Sequence, residues 1–221
     1  LEDENVTAEF LMTKNEQVEV VNTWDAMGMR ATGSHDIIFH DTFVPDEALL
    51  YRHRPNEINR FLADGRIYSL EIPAVYLGIA GAARDYVVEF AKNTYSYSLE
   101  NTIAHASHVQ QKIGEIEVLY QIARRTLYSI AAQAEQHPTD KQDLAQDVSI
   151  AKYVICQHAV EIVTKAMQVV GGRSLSKSNK LQRLFRDVQC SRFNPPADDV
   201  VISQLAQSLL GEERKQGALQ L

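Results

Sequence analysis

Cysteine is scarce: a chain of 221 residues holds two, Cys156 and Cys190. Two thiols make no disulfide framework, and no paired cysteine spacing marks a zinc site. The seven histidines form no H-E-x-x-H or comparable cluster. His105 and His108 could share a helix face, but without a neighbouring carboxylate or cysteine they read as surface or interface histidines, and no metal is expected. No apolar run approaches the roughly 20 residues that a membrane span needs, and no secretory leader opens the chain, so a cytoplasmic location is expected. An initiator Met is also missing. The chain begins inside the strand-like stretch LEDENVTAEF, so we expect a longer natural protein.

A surplus of positive charge is absent too. The formal net charge of -7 argues against a general nucleic-acid binder, while leaving room for a local basic site. What is present is ordinary for a folded protein, 45% apolar and 23% charged residues, and the length suffices for one large domain or two unequal ones.

The first 45 residues have the period of strands. Val6, Ala8, Phe10 and Met12 alternate, VEVV at 18–21 resumes the pattern, and Ile37, Phe39 and Phe43 alternate up to Pro45. The stretch WDAMGMRATGSHD between them reads as a long connection. Three short strands cannot bury both faces alone, so this β portion needs more sheet or other cover.

From about residue 66 the period becomes helical. Ile72, Val75, Leu77, Ile79, Ala82, Ala83, Tyr86, Val87 and Phe90 form a broad apolar surface, with the small-residue run GIAGAA at 78–83 suited to close helix approach. Pro73 sits early enough for a first turn. A second helix is predicted over about 103–135, a third through Val148 to Met167, a fourth near 180–189 and a last near 200–210. The predicted fold class is α+β: a partial antiparallel β-domain over 1–50, a linker over 51–65, and an up-down four-helix bundle over 66–221.

The third helix runs into QVVGGRSLSKSNKLQRLFRD. The pair Gly171–Gly172 reads as a helix C-cap with positive φ, and equally as a place where a ligand can approach bare backbone. Beyond it Leu181, Leu184, Phe185 and Val188 mark a buried side. Arg183 and Asp187, four apart, suit a surface pair, while Arg186 could meet an acid on a neighbouring helix, or the arginines could shape an interface or a phosphate site.

This stretch resembles one in the acyl-CoA dehydrogenases and their relatives. The passage WDAMGMRATGSHDIIFHDTFVP is similar to the family's turn and strand ending in Val-Pro, and AVYLGIAGAARDYVVEFA is similar to its first bundle helix. The resemblance covers the second half of the family's middle β-domain and its C-terminal bundle, and implies an FAD-dependent α,β-dehydrogenation of an acyl-CoA thioester. It places Gln168, Gly171 and Gly172 along the adenine and diphosphate of an FAD held mainly by a partner subunit. It also implies a homodimer or homotetramer, and an electron acceptor or a flavin reductase as partner. A chain starting at Leu1 lacks one wall of the implied site, so little bound FAD and no turnover are expected of it alone.

The chain departs from the family pattern at four places. The glutamate that serves as base in many members falls on Pro195, which cannot take a proton. In another branch the base lies near the start of the first bundle helix, at the position of Tyr68, and Glu71 is one turn away as the candidate carboxylate. Related two-component flavin monooxygenases carry a His where this chain has Asn194, which can hydrogen-bond but cannot act as an acid or base near neutral pH. Thr94 replaces the arginine that reaches the cofactor diphosphate, a contact whose loss costs about 1.5–3 kcal/mol. Lys92 is the nearest replacement. Three functions stay open: an acyl-CoA dehydrogenase with Glu71 as base, a two-component flavin monooxygenase with Asn194 in the site, and a bundle serving assembly alone.

Overall fold

The computed structural model describes residues 6–53, 65–136 and 141–211. They fall into two compact units, divided between Gly65 and Arg66. The first is β-rich and the second helical, giving the expected α+β class.

In the first unit the three predicted strands become four, in two separate ladders rather than one sheet. Strand β1 (Thr7–Phe10) pairs antiparallel with β4 (Leu49–His53), and β2 (Val18–Val21) pairs antiparallel with β3 (Asp36–Phe39). Thr7 faces His53, with an irregularity between Glu9 and Phe10. Strand β4 takes in residues 51–53 of the expected linker, while residues 54–64 lie outside the described ones. The long connection between β2 and β3 is tied down: the Trp24 backbone N–H donates to His35 Nδ1 at 3.0 Å and its indole N–H to the Met29 carbonyl at 3.2 Å. Ile37, Ile38 and Phe39 are all exposed. The alternation therefore makes a strand without burying a face of it.

The second unit is built on three long helices: α1 (Gly65–Asn93), α2 (Ser107–Gln136) and α3 (Lys141–Val170). Their directions follow from which ends meet. Leu70 near the start of α1 packs with Leu144 and Val148 near the start of α3, and with Ile130 and Ala134 near the end of α2. Ala91 at the other end of α1 packs with Ala106 and Val109 beside the start of α2, and with Val169 at the end of α3. So α1 and α3 run one way and α2 the other. A hairpin, β5 (Tyr95–Ser96) with β6 (Asn101–Thr102), makes the first reversal.

The main core is lined by Tyr76, Ala80, Ala83 and Val87 of α1, Ile116 of α2, and a run from Cys156 to Val170 on α3. The short helix α4 (Lys180–Gln189) closes it with Leu181, Leu184 and Val188. Its start is capped by the Asn179 side chain, which accepts from the Leu181 N–H at 2.9 Å, satisfying one of the orphan donors of a helix N-terminus. Helix α5 (Asp198–Leu210) completes the unit, with Asp198 and Asp199 in its first turn, where carboxylates suit the helix dipole.

The small-residue run on α1 acts at one point in particular. A Cβ on Gly81 would stand 3.3 Å from the Tyr120 ring of α2, whereas one on Gly78 would meet nothing within 4 Å. The Arg84 guanidinium lies 4.3 Å from the Tyr120 ring centre on the same seam. Pro73 corrects its expectation: it lies inside α1, not in the first turn, and is buried. Val75 is also corrected, being half exposed while Tyr76 turns into the core. Among the described residues no helix is long and apolar enough to cross a membrane.

Candidate functional site

Helix α3 ends at Val170 and gives way to a 3-10 turn, Gly171–Leu175. Gly171 carries the positive φ, 68°, so one of the two glycines does the capping. Its carbonyl accepts from Ser174 Oγ at 2.7 Å, and Ser174 is buried beneath the turn. Gly172 needs no unusual φ. Both glycines are exposed, and a Cβ on either would meet no atom within 4 Å. The bend is thus bare backbone facing open space, and the exposed side chain of Arg173 follows directly, with no partner among the described residues. Such a surface can receive a flat ring or a phosphate at close range.

The same end of the unit holds the other cofactor candidates. Gln168, one turn before the bend, is exposed, and its Oε1 accepts from Lys112 Nζ of α2 at 2.8 Å. Thr94 follows the end of α1, half-buried, its carbonyl accepting from the Ile103 N–H at 2.9 Å as the hairpin closes. Val169 packing with Ala91 brings these two helix ends together. Gln168, Gly171, Gly172 and Thr94 therefore gather at one end of the bundle.

The catalytic candidates lie elsewhere. Asn194 sits between the 3-10 turn Cys190–Arg192 and α5, and its Nδ2 donates to the Tyr76 hydroxyl of α1 at 2.7 Å. Tyr76 is 1% exposed. Burial first, and the nearby Cys190 thiol next, push its phenol up to about 12, with the Asn194 hydrogen bond acting the other way. The phenol is therefore neutral at physiological pH, and Asn194 keeps Oδ1 as an acceptor. Glu71 is exposed, two turns into α1. At ~100° per residue, Glu71 and Tyr76 point about 140° apart around the helix. Glu71 and Asn194 thus do not share a face. The side chain of Tyr68 lies outside the described ones.

From Tyr76 to Thr94 is 18 residues, or roughly 27 Å of helix at ~1.5 Å per residue. The structure groups the four cofactor candidates and sets the Asn194 region well apart from them. One ring system cannot lie against both.

A polar cluster behind Asn194 has no counterpart in the sequence reading. Lys152 of α3 is fully buried, and its Nζ donates to Asp198 Oδ1 at 3.0 Å. Gln157, also on α3, donates to Asp198 Oδ2 at 2.7 Å and accepts at Oε1 from Arg192 at 3.2 Å. The adjacent Cys156 thiol is pushed up to about 11 by burial, against the lowering effect of the Lys152 ammonium. The apolar stripe of α3 masked Lys152, since nothing local marks one lysine as internal. On α4, Arg186 donates to Gln182 Oε1 at 3.1 Å, while Arg183 stays exposed. Among the described residues no group of three or more metal-binding side chains occurs.

Comparison with known proteins adds the following. A family described as acyl-CoA dehydrogenase, C-terminal domain, matches residues 58–210. YdbM of Bacillus subtilis (strain 168), which carries an acyl-CoA dehydrogenase name, is 40% identical over 93% of this chain and 53% of its own. A 3-(aryl)acrylate reductase of Clostridium sporogenes (strain ATCC 15579) is 30% identical over 93% and 52%, and an amino sugar nitrososynthase, DnmZ, of Streptomyces peucetius is 29% identical over 80% and 44%. Among solved structures, KijD3 in complex with FMN and a dTDP-linked amino keto sugar superposes with a TM-score of 0.79 at 28% identity, over 94% of this chain and 52% of that one. The chain spans about half the length of the curated relatives it matches.

Proposed function

This chain belongs to the acyl-CoA dehydrogenase family, and from that membership we propose that it forms part of a flavin-dependent oxidoreductase that α,β-dehydrogenates an acyl-CoA thioester. The observation that carries the reading is the bare bend at Gly171–Gly172, open to a ring or a diphosphate and flanked by Gln168 and Arg173. FAD is the proposed cofactor. When bound, it supplies an acceptor for the hydride that leaves the β-carbon.

The bend serves a cofactor held mainly by a partner subunit, since roughly 27 Å of α1 part it from Asn194 at ~1.5 Å per residue. This makes a homodimer or homotetramer part of the proposal. Gln168 and the glycine amides border the adenine and diphosphate. Thr94 and Lys92 stand where a guanidinium would strengthen the hold, so retention is weaker by about tenfold to a hundredfold. Asn194 accepts a hydrogen bond from the substrate at Oδ1, while its nitrogen stays on Tyr76. Of the two catalytic candidates only Glu71 can take a proton, but it does not share a face with Asn194, so the α-proton of a substrate held at Asn194 goes to a base outside this pair.

Pro195 and Asn194 favour a second reading. With proline at the usual base position and an amide beside it, the same residues suit a two-component flavin monooxygenase, which receives its reduced flavin from a separate reductase and needs no carboxylate base there.

Anaerobic mixing of the full-length, flavin-loaded protein with acyl-CoAs of graded length tests the first reading. Bleaching of the flavin band near 450 nm is expected, and a flat trace with every chain length overturns it. Supplied reduced flavin and labelled oxygen test the second: label in an organic product supports it, and hydrogen peroxide as the only product counts against it.

A further inference from the structure

The segment Phe193–Ala197 has little backbone of its own to hold it. Pro195 and Pro196 bring no N–H donors. The hydrogen bonds at its two ends, Phe193 N–H to the Cys190 carbonyl at 3.1 Å and Val201 N–H to the Ala197 carbonyl at 3.0 Å, belong to the flanking turns. Phe193 is 80% exposed. Yet Asn194 in the middle of this segment meets Tyr76 at 2.7 Å. Something other than the loop must fix it.

One side chain spans both ends. Gln157 accepts from Arg192, immediately before the segment, at 3.2 Å, and donates to Asp198, immediately after it, at 2.7 Å. Its amide has one acceptor and one donor group, and each is used on a different end. The second carboxylate oxygen of Asp198 is taken by the buried Lys152 at 3.0 Å, so the α5 end is held by charge as well. These bonds are part-buried, and surroundings less polar than water strengthen them. Lys152 and Gln157 both belong to α3, a rigid element, and α3 also carries the glycine bend.

We propose that Gln157 is a positioning residue: by clamping Arg192 and Asp198 together it sets the span of the Phe193–Ala197 segment and so holds Asn194 on Tyr76. Its consequence for turnover rests on the reading above, in which Asn194 meets the substrate. The clamp itself does not.

The test is the Asn194 side-chain amide, followed by NMR in the full-length, flavin-loaded protein with Gln157→Leu. The wild type gives a protected amide pair, and in Gln157→Leu its exchange with water rises by about tenfold or more. Gln157→Glu keeps the acceptor for Arg192 and loses the donor to Asp198, so backbone exchange rises at Ala197–Val201 and less at Phe193. It also covers the case in which the leucine variant does not fold. Ile130→Ala, on α2 and away from the segment, lowers stability but leaves the Asn194 amide protected. An Asn194 amide that stays protected in both Gln157 variants overturns the clamp.

The flavin signal separates the two levels. With Asn194 released, bleaching by an acyl-CoA slows about tenfold in kcat with a smaller change in KM, as expected when the competent loop is populated about a tenth of the time. Unchanged bleaching overturns the positioning role. If Asn194→Ala bleaches as fast as wild type, the site reading falls, and the amide result still decides whether Gln157 holds the loop.

Discussion

Asn194 and Tyr76, 118 positions apart, meet at 2.7 Å, the amide donating to the phenol. The two partners are not equally placed. Tyr76 is 1% exposed, whereas Asn194 is half-buried. Asn194→Ala leaves a hydroxyl unpaired inside the protein and costs about 1–3 kcal/mol, while Tyr76→Phe leaves an amide that water can reach and costs about 1 kcal/mol. Urea midpoints in the two variants check the order. Equal losses would show that the bond is not the main role of either residue.

Stability falls at alkaline pH in two steps. The Cys156 thiol moves from 9.0 up to about 11 and the Tyr76 phenol from 10.0 up to about 12, both chiefly through burial. Below the lower value each group is neutral whether the chain is folded or not. Above it the unfolded chain releases the proton and the folded one keeps it, so stability is lost as pH rises. The Cys156 step spans pH 9 to 11 and the Tyr76 step pH 10 to 12, each up to about 3 kcal/mol. Melting curves from pH 8 to 11.5 show the decline. Cys156→Ala removes its earlier part and Tyr76→Phe its later part.

Gly171 and Gly172 separate capping from binding. Gly171→Ala forces a side chain into φ 68° and costs about 1–2 kcal/mol. Gly172→Ala meets nothing and is neutral to stabilising, by up to about 1 kcal/mol, through the unfolded chain. If a flavin lies against the bend, Gly172→Ala still lowers flavin content, measured by absorbance after gel filtration. Full flavin content in that variant removes the bend from the cofactor site.

Lys152 and Asp198 form an asymmetric pair, with side chains 0% and 17% exposed. Asp198→Ala strands an ammonium in the core and costs about 3–5 kcal/mol. Lys152→Met leaves a carboxylate that Gln157 and water can serve, and costs less than half as much. Thermal unfolding of the two variants checks the difference, and the reverse order refutes the assignment of Lys152 as the buried partner.

How much of this was legible in the chain depends on the range of the interaction. The apolar stripes from Val109 to Leu127 and from Val148 to Met167 lie on the buried sides of α2 and α3, because a helix repeats its facing over ~3.6 residues whatever it packs on. The glycine bend was equally local, a stop written at the end of an apolar stripe. Val75 and Tyr76 mark the limit of that reading. Neighbours on a broad stripe differ by ~100°, and it is Tyr76 that falls in line with Ala80, Ala83 and Val87 in the core, where its hydroxyl accepts from Asn194.

Sequence by itself determined the α+β order, the approximate helix spans, the glycine cap at 171–172 and the family likeness, since each rests on spacing within a few turns of chain. Only the tertiary structure decided that β1 pairs with β4, that Gly81 rather than Gly78 admits the Tyr120 ring, that Lys152 is internal, and that Gln157 joins Arg192 to Asp198. These depend on partners tens of residues away. Lys152 is tolerated in the core because Asp198, 46 positions on, satisfies its ammonium, and no local pattern specifies that partner.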